Sequence, residues 1–456
     1  MEAYRFSRKP GQRDFSFHGF SRSWRRVKRS PLLPIFLVVL VDVLGFTIVY
    51  PLLPFYAEHF QASPLVATTL VSVYAACSLL STPLIGRLSD RYGRRPLLLV
   101  SQAGTCAGFL VLACAGFMPA EPKYLWLVFL GRILDGLTAG NLSTAQAYIS
   151  DHTQPQDRAK AFGMIGIAFG IGFFFGPAMA GWLQGYGLHV PFLVAACMSV
   201  GSMICSYTLL EPGAPGARDA KSPQATAAGP GGKRPGLFDL EVYADYFRRP
   251  GLSALYLQFF CFAFAFSAFM SGFALFAERR FLWTAREVGF LFAYSGFMGI
   301  ILQGGILGRL IKRLGEMKVV LAGFVAAAAA YAVLGFAATL AVILVTATLS
   351  AFGNGVLRPV ITSQITQQVD RHEQGVALGI SGSLSSLAMT IAPPTSGVFI
   401  THGWLFEWTF VPATAALLGL IVALANRPRI AAAAAASDVG SAAPSPLLKG
   451  TPGGSE

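Results

Sequence analysis

The sequence predicts an all-α membrane protein: twelve transmembrane helices in two pseudo-symmetric six-helix bundles. Three observations carry this. The 456 residues are 54% hydrophobic and only 12% charged, against about 25% charged in soluble proteins. The apolar residues fall in long runs, and crossing ~30 Å of hydrocarbon takes about 20 of them per helix. Runs of that length suit helices rather than the short alternating strands of a barrel. Finally, one charged loop occurs twice. Gly86-Arg87-Leu88-Ser89-Asp90-Arg91-Tyr92-Gly93-Arg94-Arg95-Pro96 separates two apolar runs. A shift of 222 residues gives Gly308-Arg309-Leu310-Ile311-Lys312-Arg313-Leu314-Gly315-Glu316, with Gly, Arg, Leu, Arg and Gly in register. A loop copied between halves marks an internal repeat.

Residues 1–30 are basic and Ser-rich. No small-residue cleavage site follows the first apolar run, which is itself long enough to span, so a cytoplasmic tail is expected rather than a cleaved signal. The Arg- and Ser-rich, acid-poor composition leaves a mitochondrial presequence open. Residues 31–210 form the N-terminal bundle, with spans at 31–56, 65–87, 95–117, 123–147, 160–183 and 189–209. Residues 211–250, rich in Pro, Gly, Ala and charge, form a cytoplasmic linker in which 237–247 reads as a short amphipathic helix on the membrane surface. The C-terminal bundle, 251–426, has spans at 252–277, 287–308, 317–337, 340–362, 373–400 and 404–426. Residues 427–456 read as a disordered tail of Ala, Ser, Gly and Pro.

This division puts 29 of the 35 Lys and Arg on one side of the membrane. That is a positive-inside distribution with both termini cytoplasmic. Topology therefore explains the net charge of +13, and no nucleic-acid partner is expected. The six cysteines lie in apolar runs without metal-ligand spacing. There is no phosphate-cradling loop and no nucleophile with a paired histidine. Catalysis, a metal site and a bound cofactor are not expected.

Polar residues inside the spans are the candidates for chemistry. Asp42 lies 11 residues into the first span, about 16 Å deep at 1.5 Å per residue. A carboxylate there costs about 2.5–3.5 kcal/mol on insertion scales, so it should face a wet interior, where desolvation favours reversible protonation. In the fourth span Arg132 and Asp135 are three apart, hence on one face. Thr138 extends that face, and Asn141 lies three further on. Arg132 is about 16 Å from the inner surface of a ~30 Å core, level with Asp42. Asp42, Arg132 and Asp135 are therefore expected to form a proton-coupling cluster in which Arg132 holds Asp42 ionised. A static ion pair that only fixes packing is the alternative.

The fifth span carries Gly163, Gly166, Gly170 and Gly172, then Gly176-Pro177-Ala178-Met179-Ala180-Gly181. Small residues at this spacing allow close helix approach, and Pro177 removes a backbone hydrogen bond. In the seventh span Phe262, Phe266, Phe269, Phe273 and Phe276 share one face. They are expected to line a cavity for an aromatic substrate, or else to pack. In the tenth, Asn354, Arg358 and Thr362 form an inward polar face, with Arg358 near the cytoplasmic mouth, placed to snorkel or gate. In the repeated loop, Asp90 can face the N-terminus of the eleventh span near Glu373, and Arg94 can pair with Asp151. Together with Gly86, Arg91 and Gly93 they form a candidate latch of the outward-facing state. The second copy has Lys312 for Asp90 and Glu316 for Arg94, an inversion of sign.

The first loop resembles the signature of the major facilitator superfamily, G-x-L-[SA]-D-R-x-G-R-[RK]-P, at every specified position. The resemblance implies the twelve-helix fold, alternating access, and a latch at Asp90 and Arg94. Gly172, Gly176, Pro177 and Gly181 resemble the antiporter motif of the superfamily's drug exporters, with Ala180 in place of a glycine. Arg132 and Gly136 resemble the fourth-span motif of its proton-coupled exporters. Phe276 to Trp283, Pro51-Leu52-Leu53-Pro54 and Gln374-Gly375 are similar to the tetracycline-efflux branch, although the acid typical of that branch's third span is missing from 97–117. The resemblance implies a monomeric inner-membrane exporter of small amphipathic or aromatic compounds. It would exchange protons for cargo, with the proton gradient as its energy source. A metabolite or sugar symporter of the same fold, and a non-transporting receptor or scaffold, remain open.

Overall fold

The computed structural model describes residues 32–153, 158–210, 240–370 and 373–441. The tail 1–30, linker residues 211–239 and residues 442–456 lie outside the described ones. All regular structure among the described residues is helical, and twelve stretches are long and apolar enough to cross a membrane. The first half comprises α1 (Leu32–His59), α2 (Pro64–Tyr92), α3 (Arg94–Ala115), α4 (Leu125–Leu137), α5 (Asn141–His152), α6 (Arg158–Leu183) and α7 (Val190–Leu209). After a short α8 (Leu240–Arg248), the second half comprises α9 (Pro250–Phe281), α10 (Ala285–Ile301), α11 (Leu307–Leu314), α12 (Glu316–Leu334), α13 (Leu340–Gln367), α14 (Gln374–Thr401) and α15 (Leu405–Ser441).

Two spans are interrupted. The fourth is α4 and α5, broken at Thr138–Gly140, and the eighth has a π-helical turn, Leu302–Ile306, between α10 and α11. The repeat is visible in the backbone. Gly93 (φ 96°) ends α2 and Gly315 (φ 80°) ends α11, a conformation that only glycine adopts without strain. One expectation is corrected. The last helix continues to Ser441 instead of giving way to a disordered tail at 427, because 431–436 is a run of alanines, the strongest helix formers. The linker helix packs on the bundle: Tyr246 is buried and the Phe247 ring lies 5.3 Å from Tyr256.

The apolar cores explain how the halves sit together. One core is common to both and lies at the end remote from the 86–96 loop. It joins Leu53, Tyr56 and Phe60 of α1 to Phe276 of α9, Val288 of α10 and Trp408 of α15. At the loop end each half has its own core, around Val38 and Tyr148 in the first and around Tyr256 and Phe324 in the second. The halves therefore meet at the far end and part at the loop end.

Close backbone contacts hold α6 against α1 and α10. A Cβ on Gly176 would stand 2.0 Å from Thr47 Oγ1, and one on Gly172 2.5 Å from Val43, so these glycines admit α1. On the opposite face a Cβ on Gly181 would stand 2.9 Å from the Ala285 carbonyl, and one on Gly289 2.4 Å from that of Pro177, so the same helix end also admits α10. Thr47 Oγ1 donates to the Gly172 carbonyl at 2.9 Å. Between the halves, Arg279 Nη2 donates to Glu58 Oε1 at 2.5 Å, and the Leu65 amide donates to Thr401 Oγ1 at 3.0 Å.

Gly176→Val should overpack this contact and cost about 1–3 kcal/mol. Gly166→Ala, where a Cβ meets nothing within 4 Å, should leave stability nearly unchanged. Thermal unfolding of the two purified variants measures the contrast.

Candidate functional site

The space between the parted halves is a cavity of about 1040 Å³, lined by both halves and reaching Gly86 and Arg87 on one side and Gly375 on the other. Asp42, Asp135 and Asn141 line it, together with Phe46, Tyr74 and Phe109.

The fourth span positions the acids, and it can do so because it stops. A helix broken inside a bilayer leaves backbone groups that need partners. Here side-chain hydroxyls of neighbouring helices supply them. Ser81 donates to the Gly136 carbonyl at 2.8 Å, and Thr82 to that of Ala139 at 2.7 Å. Ser101 donates to the Thr138 carbonyl and accepts from the Gly140 amide at 3.1 Å. A new helix then starts at Asn141, whose Nδ2 donates to Asp42 Oδ1 at 2.5 Å.

This corrects the expected cluster. Arg132 does not pair with Asp42. Its Nη1 bonds Asp135 Oδ2 at 2.8 Å, both side chains nearly fully buried, and its guanidinium lies 4.3 Å from the centre of the Tyr74 ring. Spacing along α4 brings Arg132 to Asp135, whereas the break at Thr138–Gly140 takes Asn141 off that stripe and turns it to α1. Asn141 Oδ1 has no hydrogen-bond partner in this arrangement.

The other predicted positions divide. Arg358 lines the cavity. Thr138 does not; its Oγ1 donates back to the Leu134 carbonyl at 2.8 Å. Asn354 is likewise withdrawn, donating to Ser350 Oγ at 3.1 Å and bonding Tyr331 at 3.3 Å. The phenylalanine stripe packs instead of lining the cavity. Phe262 is buried in the second half's core, Phe273 and Phe276 are buried in the shared core, and Phe266 and Phe269 pack against both. Phe259, one turn away, is the ring of α9 that reaches the cavity.

In the loop, Arg94 joins Asp90 at 2.5 Å and Asp151 at 3.1 Å, the second pair as expected. At the start of α14, Arg249 donates to both oxygens of Glu373, at 2.8 and 2.9 Å. Arg249 holds the Glu373 carboxyl below its ordinary value through these bonds. In the second copy Glu316 accepts from Ser363 Oγ and Gln367 Nε2, both at 3.2 Å. The polarity of the tie is reversed, but it joins the corresponding helix ends.

Sequence reasoning missed Glu58–Arg279 and the hydroxyls that support the break. The first had a signal, since the 222-residue shift carries Glu58 onto Arg280. The second had none, because serine and threonine are common in membrane helices whether or not they support a break.

Residues 35–317 and 255–451 match the family model described as Major Facilitator Superfamily. The chain belongs to that superfamily. It is a multi-pass membrane transporter and not an enzyme. It is 29% identical to the tetracycline resistance protein of class B from Escherichia coli, over 81% of this chain and 90% of that one. It is 30% identical to the class C protein from the same species, over 78% and 86%. In fold it is similar to the human organic anion transporter MFSD10 (TETRAN), with a TM-score of 0.63 and 22% identity over 87% of this chain and 99% of that one.

Two outcomes follow from the site. Arg132→Leu should cost about 3–5 kcal/mol by leaving Asp135 buried and unpaired, while Arg132→Leu with Asp135→Leu should recover much of it; a double-mutant cycle by thermal unfolding measures this. Glu373 has a depressed folded-state pKa, so its pair with Arg249 stabilises the fold above the unfolded value near 4.5, and the effect is lost as pH falls through the folded one. Both groups are partly exposed, so the difference between wild type and Glu373→Gln should stay below about 1 kcal/mol and vanish in acid.

Proposed function

We propose that this transporter is a proton-coupled secondary exporter of small amphipathic or aromatic compounds, tetracycline-like or multidrug, working as a monomer in the inner membrane. The observation that carries the reading is Asp42. It borders the cavity, no cation lies on it among the described residues, and its bonded neighbour is an amide.

The basic loop end faces the cytoplasm, so this is the inward-open arrangement: cargo enters from the cytoplasm while the shared core and Glu58–Arg279 seal the far end. Asp42 exchanges the proton. As a carboxylate it accepts from Asn141 Nδ2. As an acid, its O–H donates to Asn141 Oδ1 after the amide turns over, so one residue serves both protonation states. Arg132 is occupied by Asp135, which leaves Asp42 as the cavity acid whose bonded partner is neutral. Closing the loop end and opening the far end then releases cargo outside, and a proton taken up there returns with the empty transporter. The antiporter-like glycines and the names of the similar bacterial proteins support export.

In inside-out vesicles, an imposed pH gradient should drive tetracycline accumulation. Asp42→Asn should abolish the gradient's effect while leaving tetracycline exchange without a gradient intact. Gradient-driven accumulation that persists in this variant would remove Asp42 from the mechanism.

A further inference from the structure

The cavity has a second polar wall, built by the other half. Arg358 and Thr362 of α13 lie on it, with Ser383, Ser385 and Ser386 of α14. Arg358 is exposed to the cavity, its guanidinium 5.5 Å from the centre of the Phe169 ring. Among the described residues no carboxylate lies within ion-pair distance of it. Thr362 spends its hydroxyl on the Arg358 carbonyl at 2.7 Å. The three serine hydroxyls have no hydrogen-bond partner among the described residues. The carboxylates are on the first half's side, where Asp135 is already taken by Arg132.

A cation without a counter-ion is unfavourable within a membrane protein. Snorkelling would relieve it only by carrying the head group toward the lipid-water surface, and Arg358 instead points into the space between the halves. A guanidinium there offers a planar fork of N–H donors, the geometry that fits a carboxylate, an enolate or a phosphate, and hydroxyls nearby can add further donors.

We infer that Arg358 and the serines of α14 form an anion-binding subsite, and that the cargo is an amphipathic organic anion or zwitterion. Its negative group docks on Arg358, and its rings lie against Phe46, Phe109 and Phe259. Charge is thus divided between the halves: the first half handles the proton and the second reads the cargo. The inference rests on the transporter reading of this cavity and names the substrate class for it.

The test is equilibrium binding to the purified full-length protein, read by fluorescence anisotropy, with two dyes on the same xanthene ring: fluorescein, an anion, and rhodamine 6G, a cation. Wild type should prefer fluorescein by about ten-fold or more, the scale of one charge-assisted bidentate pair. Arg358→Gln should erase that preference and leave rhodamine 6G binding unchanged or tighter, while Arg358→Lys should keep part of it. Should Arg358→Gln fail to fold, Ser385→Ala with Ser386→Ala provides the second reading, a loss of about three-fold or more confined to fluorescein. A wild type that binds fluorescein no better than rhodamine 6G, or a folded Gln variant that loses both dyes alike, overturns the subsite. Binding is read without a gradient, so its failure is separable from failure of proton-driven export in vesicles.

Discussion

Inside a bilayer a backbone carbonyl has no water to accept from, and the rest of this site follows from how the fourth span meets that constraint. The span stops at Thr138–Gly140 and starts again at Asn141. It can stop because Ser81, Thr82 and Ser101 reach across from α2 and α3 to the groups the break exposes. Those hydroxyls arrive because the helices are close: a Cβ on Gly104 would collide with Thr138, and one on Gly108 with the Gly131 carbonyl. Without the break, Asn141 would continue the stripe of Arg132 and Asp135. With it, Asn141 turns to α1, and Asp42 acquires a neutral partner instead of a cation.

The fold was legible because bilayer spans advertise themselves. Length, apolar content and the duplicated loop give the twelve helices and their pairing into halves without any knowledge of contacts. Spacing also found Arg132–Asp135 and Arg94–Asp151, since the first lies within one helix and the second joins the ends of neighbouring ones. It failed at Asp42, where depth was right and the partner wrong. Depth is a one-dimensional coordinate, and two residues at the same depth need not share a side of the bundle. It failed again with the phenylalanines. A shared helical face says which rings travel together and not whether that face meets a cavity or another helix; among the described phenylalanines of α9 it is Phe259, outside the chosen stripe, that lines the open space. The end of α15 was misread for a different reason: composition alone cannot separate an alanine-rich helix from an alanine-rich tail.

The two halves show how one scaffold tolerates opposite electrostatics. Arg94 at the start of α3 donates to Asp151 at the end of the fourth span. Glu316, at the matching start of α12, accepts from Ser363 and Gln367 at the end of α13. The geometry of the tie is retained while donor and acceptor change places. The same exchange of roles runs through the cavity, where Asp42 and Asp135 face a wall whose charge is Arg358.

Phe266 and Phe269 touch both the shared core and the core of the second half, and the Phe173 ring of the first half lies 6.4 Å from Phe266. They stand where the seam ends and the cleft begins, the position of a fulcrum. A tilt of one bundle about that point would swing its two ends in opposite directions, with travel proportional to distance from the pivot. Fitting a slightly larger or smaller ring there would change how wide each gate can swing, and hence the bulk of molecule that can pass, without altering a single group in the cavity.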